Sequence, residues 1–312
     1  MSKSGIKVSA PATVSNIAGG LNNLGLALET PADEIIIREG NQPGLVITEI
    51  QGAAKRLSSN ISVNPAGIAA YRLLEHLGET QRPIELEIHK KIALDSGLGS
   101  SAALTAAGVY GVNEYLRTGM SRNELLPFTL PAYKAEEAYD TAAHILPSLM
   151  GGMILVTDEK ELTFKKMYIP AGLHIAVLYP HIQPDNRKWA QMICNKNITF
   201  QESLDLSQHL AAFVAAMYTS DMDLMRSTLH KVQPHEEIAT LIPEFHTIRD
   251  MAFRNGATGF GIAGAGPSMF VLCTDSGAAK NIIEEAGNHF KIIKKGISAY
   301  YSRINHEGAI VY

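Results

Sequence analysis

From residue 96 the chain reads Ser96-Gly97-Leu98-Gly99-Ser100-Ser101-Ala102-Ala103, and these residue types at this spacing can hold a phosphate group. Glycine lets the backbone turn where other residues cannot and lets a ligand come close to it. A long run of small residues follows, from about Ser100 to Leu116, and reads as a helix. A helix start presents unpaired N–H groups and the positive end of its dipole, and both favour an anion. The hydroxyls of Ser100 and Ser101 stand at that helix mouth. The expected nucleotide contacts are therefore Ser96, Gly97, Leu98, Gly99, Ser100, Ser101 and Ala102.

The loop is not a Walker A motif, because no Gly-Lys-Ser/Thr stands at the required spacing. Gly97-x-Gly99-x-x-Ala102 does match the dinucleotide fingerprint. That fingerprint needs an acidic residue ending a second strand about 20 residues on, and the residue at that distance, Glu124, falls in a helical segment. The plain alternative is a tight strand-to-helix turn that binds nothing. Two adjacent serines directly after two glycines speak against it.

The rest of the chain must build a scaffold for this loop. Its 312 residues suffice for two domains. A net charge of -4, with lysines only in pairs such as Lys90-Lys91, excludes the basic footprint of a nucleic-acid binder. The two cysteines, Cys194 and Cys273, have no metal-like spacing. No stretch approaches the roughly 20 apolar residues of a membrane helix, and the first residues lack the apolar core of a signal peptide. The expectation is a cytoplasmic protein with a small-molecule substrate, no nucleic-acid partner and no membrane partner.

Lys7 to Ala10 reads as a strand and Pro11 to Asn23 as a loop rich in glycine and asparagine. Glu34–Arg38 and Leu45–Ile50 read as strands of a hairpin or small sheet. Asn64-Pro65 opens a helix that Gly78 ends. Ile84–Ile88 alternates as a half-exposed strand. A helix from about Asn123 to Ala142 is expected to break near Pro131. Gly151-Gly152 leads into a strand, Met153–Thr157. The second half reads as a strand at Leu173–Tyr179, helices from about 204 to 253, and a glycine-rich region at Gly256–Pro267. A strand at Ser268–Cys273, a helix at Ala278–Phe290 and further strands finish it. The fold class is α+β, with a boundary near residues 158–168, so domains at 1–160 and 161–312.

With its other motifs added, the chain resembles the GHMP kinases, and among them the homoserine kinases. Pro11-Ala12-Thr13-Val14-Ser15-Asn16-Ile17, with Gly19-Gly20 and Leu24-Gly25-Leu26-Ala27-Leu28, resembles that family's first motif. Ser96–Ala103 resembles the second. Gly261-Ile262-Ala263-Gly264-Ala265-Gly266-Pro267-Ser268-Met269-Phe270 resembles the third, and Pro147 with Gly151-Gly152 matches a further landmark. The resemblance covers nearly the whole chain. It implies an S5-like N-terminal ATP-binding domain, a ferredoxin-like C-terminal domain, and transfer of phosphate from ATP with Mg2+ to a small-molecule hydroxyl. It also implies a homodimer.

The departures from the pattern lie where acceptor and metal would sit. Asn22 stands in place of an aspartate that meets the amino-acid substrate. Counting back from Pro147, Tyr133 takes the place of a metal-binding glutamate, and Thr141, Ala142, Ala143 and His144 replace a His-x-Asp-Asn cluster. Asn186 and Ala190 fall where a threonine and an arginine hold the substrate carboxylate, with Arg187 beside them. Glu136 and Glu137 share a helical face with Tyr133, so either can serve the metal together with Ser101. Asp95 is a further candidate carboxylate. Asp140 stands one turn before His144 and can orient its ring. Ser101, Glu136, Asp140 and His144 are thus the catalytic candidates, and Ser101 and Glu137 the metal candidates. Asn64 is expected near the adenine, and Asn16, Asn22, Tyr133, Arg187, Gly264 and Gly266 near the acceptor. Two readings stay open: a kinase with homoserine or a related acceptor, or a divergent homologue with another reaction or only a binding role.

Overall fold

The structure, a computed structural model, describes residues 5–20, 22–53, 57–135, 142–182, 186–194, 197–232 and 236–312. Its first sheet starts from two long antiparallel strands, β1 (Gly5–Ser15) and β2 (Leu24–Glu39), joined across a single 3-10 turn at Ile17–Gly19. The far edge of β2 pairs with β4 (Ile84–Lys90), and β3 (Leu45–Gly52) lies parallel beyond it. β5 (Met153–Asp158) pairs with the start of β2, β6 (Thr163–Lys166) pairs with β5, and β11 (Ile310–Val311) returns from the chain end to pair with β1.

Four helices cover this sheet: α1 (Pro65–Leu77), α2 (Ser100–Leu116), α3 (Arg122–Ala135) and α4 (Ala142–Met150). α2 and α4 lie on β1 and β2, while α1 and α3 pack on α2. α2 is surrounded, with Ala103, Leu104, Ala106, Ala107, Val109 and Val112 all buried. A helix enclosed on every side is apolar all round, and small side chains let its neighbours come close. Asn64 caps α1, its side chain accepting from the N–H groups of Ala66 and Gly67, and Gly78 ends the helix in the left-handed region, as expected.

The second sheet has the order β10 (Ile297–Ser302), β7 (His174–Pro180), β9 (Met269–Cys273), β8 (Gly259–Ile262), antiparallel throughout. Its helices are α5 (Asn186–Cys194), α6 (Phe200–Thr219), α7 (Met222–Lys231), α8 (Glu236–Ala239), α9 (Phe245–Arg254) and α10 (Ser276–Ile292). Successive strand residues face opposite sides. Ala176 and Leu178 therefore join a core with Ile248, Met251, Ile282 and Phe290, while Ile175 and Val177 face the other way, into the core that continues under the first sheet. The result is the expected two-domain α+β architecture.

Five local expectations need correction. Pro11–Ser15 is strand rather than loop; the pairing of β1 with β2 shifts register between Pro11 and Thr13, so the missing proline N–H falls where the ladder is already interrupted. β2 and β3 share a sheet but form no hairpin, because β4 lies between them, and β4 is mostly buried rather than half-exposed. α3 runs through both Pro127 and Pro131. The glycine-rich region 256–267 contains the strand β8.

Candidate functional site

The loop before α2 is held at both ends. At its start, Asp33 on β2 is fully buried and pairs with the Lys90 ammonium at the end of β4. Its other oxygen accepts from the N–H groups of Lys91 (2.7 Å) and Ile92 (2.8 Å), which fixes the direction in which the chain leaves the sheet. At the other end Leu98 accepts from the Thr13 N–H on β1. The buried Ser96 hydroxyl donates to the Ala93 carbonyl (2.7 Å), and so braces the turn internally.

Gly99 is the residue before α2, at φ 64, and no side chain caps this helix start. Its first-turn N–H groups are therefore left for an anion. The Ser100 hydroxyl is buried and has no hydrogen-bond partner among the described residues. A buried hydroxyl left unpaired costs about 1–3 kcal/mol, so a site with this orphan fits an incoming acceptor such as a phosphate oxygen. Ser101 next to it is partly exposed.

Two other loops close on this one. Gly97, at φ 79, faces the third loop so closely that a Cβ there would lie 2.3 Å from the Ala263 carbonyl oxygen and 2.7 Å from that of Gly266. The Ser268 N–H donates to the Ser96 carbonyl (3.1 Å), and the Ser268 hydroxyl is a second buried group without a partner among the described residues. Asn16, in the left-handed region, donates its side-chain amide to the Gly264 carbonyl (2.8 Å) and accepts from the Asn22 N–H (3.1 Å). The three motifs of the sequence thus meet in one place, and Asn16, Asn22 and Gly264 share it. Gly266 packs against the ring of Trp189, so α5 borders the third loop.

His144 lies under this junction, 2% exposed. Its Nδ1 is 2.7 Å from the Thr13 hydroxyl and its Nε2 2.8 Å from the Ser15 hydroxyl. Burial pushes the imidazole down to about 4, so it is neutral at physiological pH. Thr13 and Ser15 had no role assigned from sequence. Their spacing of two on a strand, which puts both on one face, was the available signal.

Asn64 is fully buried and its carboxamide is engaged at both ends, capping α1 and donating to the Ser58 carbonyl. Asp95 is exposed in the left-handed region, and the Tyr179 phenol is raised by burial and then by the Asp95 charge. Tyr133 falls in the last turn of α3 and Arg187 in the first turn of α5. Glu136, Glu137, Asp140 and Thr141 lie outside the described residues. Among the described residues no group of three or more His, Cys, Asp or Glu side chains could hold a metal, and no helix is long and apolar enough to cross a membrane.

Residues 64–152 match the family model described as GHMP kinases N terminal domain, and residues 212–292 that of GHMP kinases C terminal. A homoserine kinase of Chlorobium phaeobacteroides (strain BS1) is 28% identical over 97% of this chain and 98% of its own. One from Haloarcula marismortui is 30% identical over 86% of this chain and 88% of its own. The crystal structure of homoserine kinase from Cytophaga hutchinsonii superposes with a TM-score of 0.93 at 34% identity, covering 100% of this chain and 98% of that one. With three motif loops meeting at an uncapped helix start, and with matches to both domains of one family, the chain belongs to the GHMP kinases, a family of small-molecule kinases.

Proposed function

We propose that this chain transfers the terminal phosphoryl group of ATP to the hydroxyl of a small amino-acid-like acceptor, with L-homoserine as the first candidate. The observation that carries the reading is the junction of three loops around the start of α2, where backbone N–H groups and the orphan Ser100 hydroxyl await an anion. The names of the full-length relatives support the choice of acceptor. ATP would supply the phosphoryl group and Mg2+, when bound, would neutralise charge on it, so the protein's contribution is mainly position and electrostatics. Gly97, Leu98, Gly99, Ser100, Ser101 and Ala102 would hold the phosphates. Asn64 would stand on the adenine side, held there as the cap of α1.

Mg2+ takes one or two carboxylates together with phosphate oxygens and water, so a large acidic cluster is not required. The Ser101 hydroxyl and the exposed Asp95 carboxylate suit that need, with Glu136 and Glu137 as further ligands. Asn16, Asn22, Tyr133, Arg187, Gly264 and Gly266 form the acceptor side of the proposal. The proposed assembly is a homodimer acting in the cytoplasm, which light scattering and cell fractionation test. The reaction itself is tested by ADP release with Mg-ATP across a panel of L-homoserine, L-serine, L-threonine and mevalonate. Release that depends on one acceptor and is lost in Ser101→Ala supports the proposal. Folded protein that turns over none of them overturns it.

A further inference from the structure

We infer that His144 is a positioning residue, a neutral imidazole wedge that sets the distance between the phosphate loop, the first motif and the third loop, and exchanges no proton during turnover. The inference rests on the kinase reading for its kinetic test only.

The ring is fixed from four sides. Thr13 and Ser15 hold its two nitrogens at 2.7 and 2.8 Å. A Cβ at Gly99 would lie 2.9 Å from Nδ1, and one at Gly264 would lie 2.8 Å from Nε2. The imidazole therefore fills the space between the start of α2 and the third loop, and only glycine fits on either side of it. Gly99 anchors the helix start that faces phosphate, and Gly264 accepts from Asn16, which in turn accepts from the Asn22 N–H on the acceptor side. A change in the ring's size or place would shift those two sides relative to each other.

The surroundings also fix its charge state. Among the described residues, β1 contributes only Pro11 to Ser15 here, α2 its Gly99–Ala103 start, and the third loop Ile262–Phe270, and none of these segments carries a charged side chain. Among the described residues, an imidazolium in this place would meet no counter-charge. A neutral imidazole donates from one nitrogen and accepts at the other. One of the two hydroxyls therefore donates to the ring and the other accepts from it, which accounts for both contacts without a mobile proton.

The test combines His144→Ala and His144→Gln with Thr13→Val. In acceptor-dependent ADP release, His144→Ala is expected to lower kcat tenfold or more, while ADP measured by calorimetry binds within threefold of the parent. His144→Gln, which keeps a donor and an acceptor, should recover part of the loss. Thr13→Val with His144→Ala should be no worse than His144→Ala alone, because both act through one contact. The parent's kcat should show no inflection between pH 6 and 7 that His144→Gln removes. Such an inflection, or a folded His144→Ala with kcat within twofold of the parent, overturns the inference. If the parent transfers phosphate to no acceptor, the kinase reading has failed. The nitrogen NMR shifts of labelled histidine then decide: one neutral tautomer from pH 5.5 to 8, perturbed by Thr13→Val, upholds the inference, and a ring that titrates in that range sinks it.

Discussion

Replacing Gly97 by alanine probes the contact between the phosphate loop and the third loop. The residue sits at φ 79, and a Cβ would lie 2.3 Å from the Ala263 carbonyl oxygen and 2.7 Å from that of Gly266. Forcing an L-residue into the left-handed region costs about 1–2 kcal/mol. Overpacking against groups that must shift adds about 1–3 kcal/mol, and here the groups are backbone, held by Asn16 and by the Ser268 N–H. Together these make Gly97→Ala about 2–5 kcal/mol less stable than the parent. Gly78→Ala provides the control: it lies at φ 70, ends α1, and has nothing within 4 Å of the added Cβ, so it carries the backbone cost alone. Thermal unfolding of both variants isolates the clash as their difference. Relief of the clash moves the loops apart, and a misplacement of about 1 Å can cost on the order of a hundredfold in rate, so ADP affinity and turnover should fall in Gly97→Ala and hold in Gly78→Ala. Equal stability losses in the two, with parental ADP binding in Gly97→Ala, would refute the interlocked-loop geometry.

Other expectations follow from single contacts. Asp33→Ala removes the carboxylate that meets the buried Lys90 ammonium and should cost roughly 3–5 kcal/mol in urea unfolding, with replacement of both by apolar residues recovering much of it. Asn16→Gly keeps the left-handed backbone but loses the bond to Gly264, so kcat/KM should fall about two- to tenfold, the worth of one neutral hydrogen bond. Asn22→Asp adds a charge at a residue proposed for the acceptor side and should lower the KM of an amino-acid acceptor roughly fivefold, about 1 kcal/mol, without changing the KM for ATP. Because His144 is held near 4 against about 6.5 when unfolded, the unfolded chain binds the extra proton between those values. Its contribution is whole above pH 6.5 and is lost as pH falls toward 4, roughly 3 kcal/mol in full. Unfolding measured from pH 7 to 4 should show this slope, and His144→Gln should flatten it.

The sequence made the glycine loop and the helix starts readable because local rules govern them. Asn64-Pro65 and Gly78 bound their helix by capping chemistry, and two glycines before two serines mark a helix start that no side chain caps. The two-domain fold was legible through three motifs in order. What was hidden depends on contacts far apart in the chain. His144 meets Thr13 and Ser15 across more than a hundred residues, and nothing in its neighbourhood in sequence announces hydroxyl partners. Periodicity could not show that β4 lies between β2 and β3, or that α3 continues through Pro131. The acceptor side stays the least legible from sequence, because Tyr133, Ala143 and Arg187 are read only by counting from Pro147 or by nearness, without a local rule to fix their roles.

Phosphorus NMR of the purified protein with Mg-ATP, with and without L-homoserine, tests the central claim most directly. A homoserine-phosphorylating enzyme gives a new phosphomonoester resonance that grows in equal amount with ADP, only when L-homoserine is present. Unchanged ATP, or release of inorganic phosphate alone from folded protein, would contradict it.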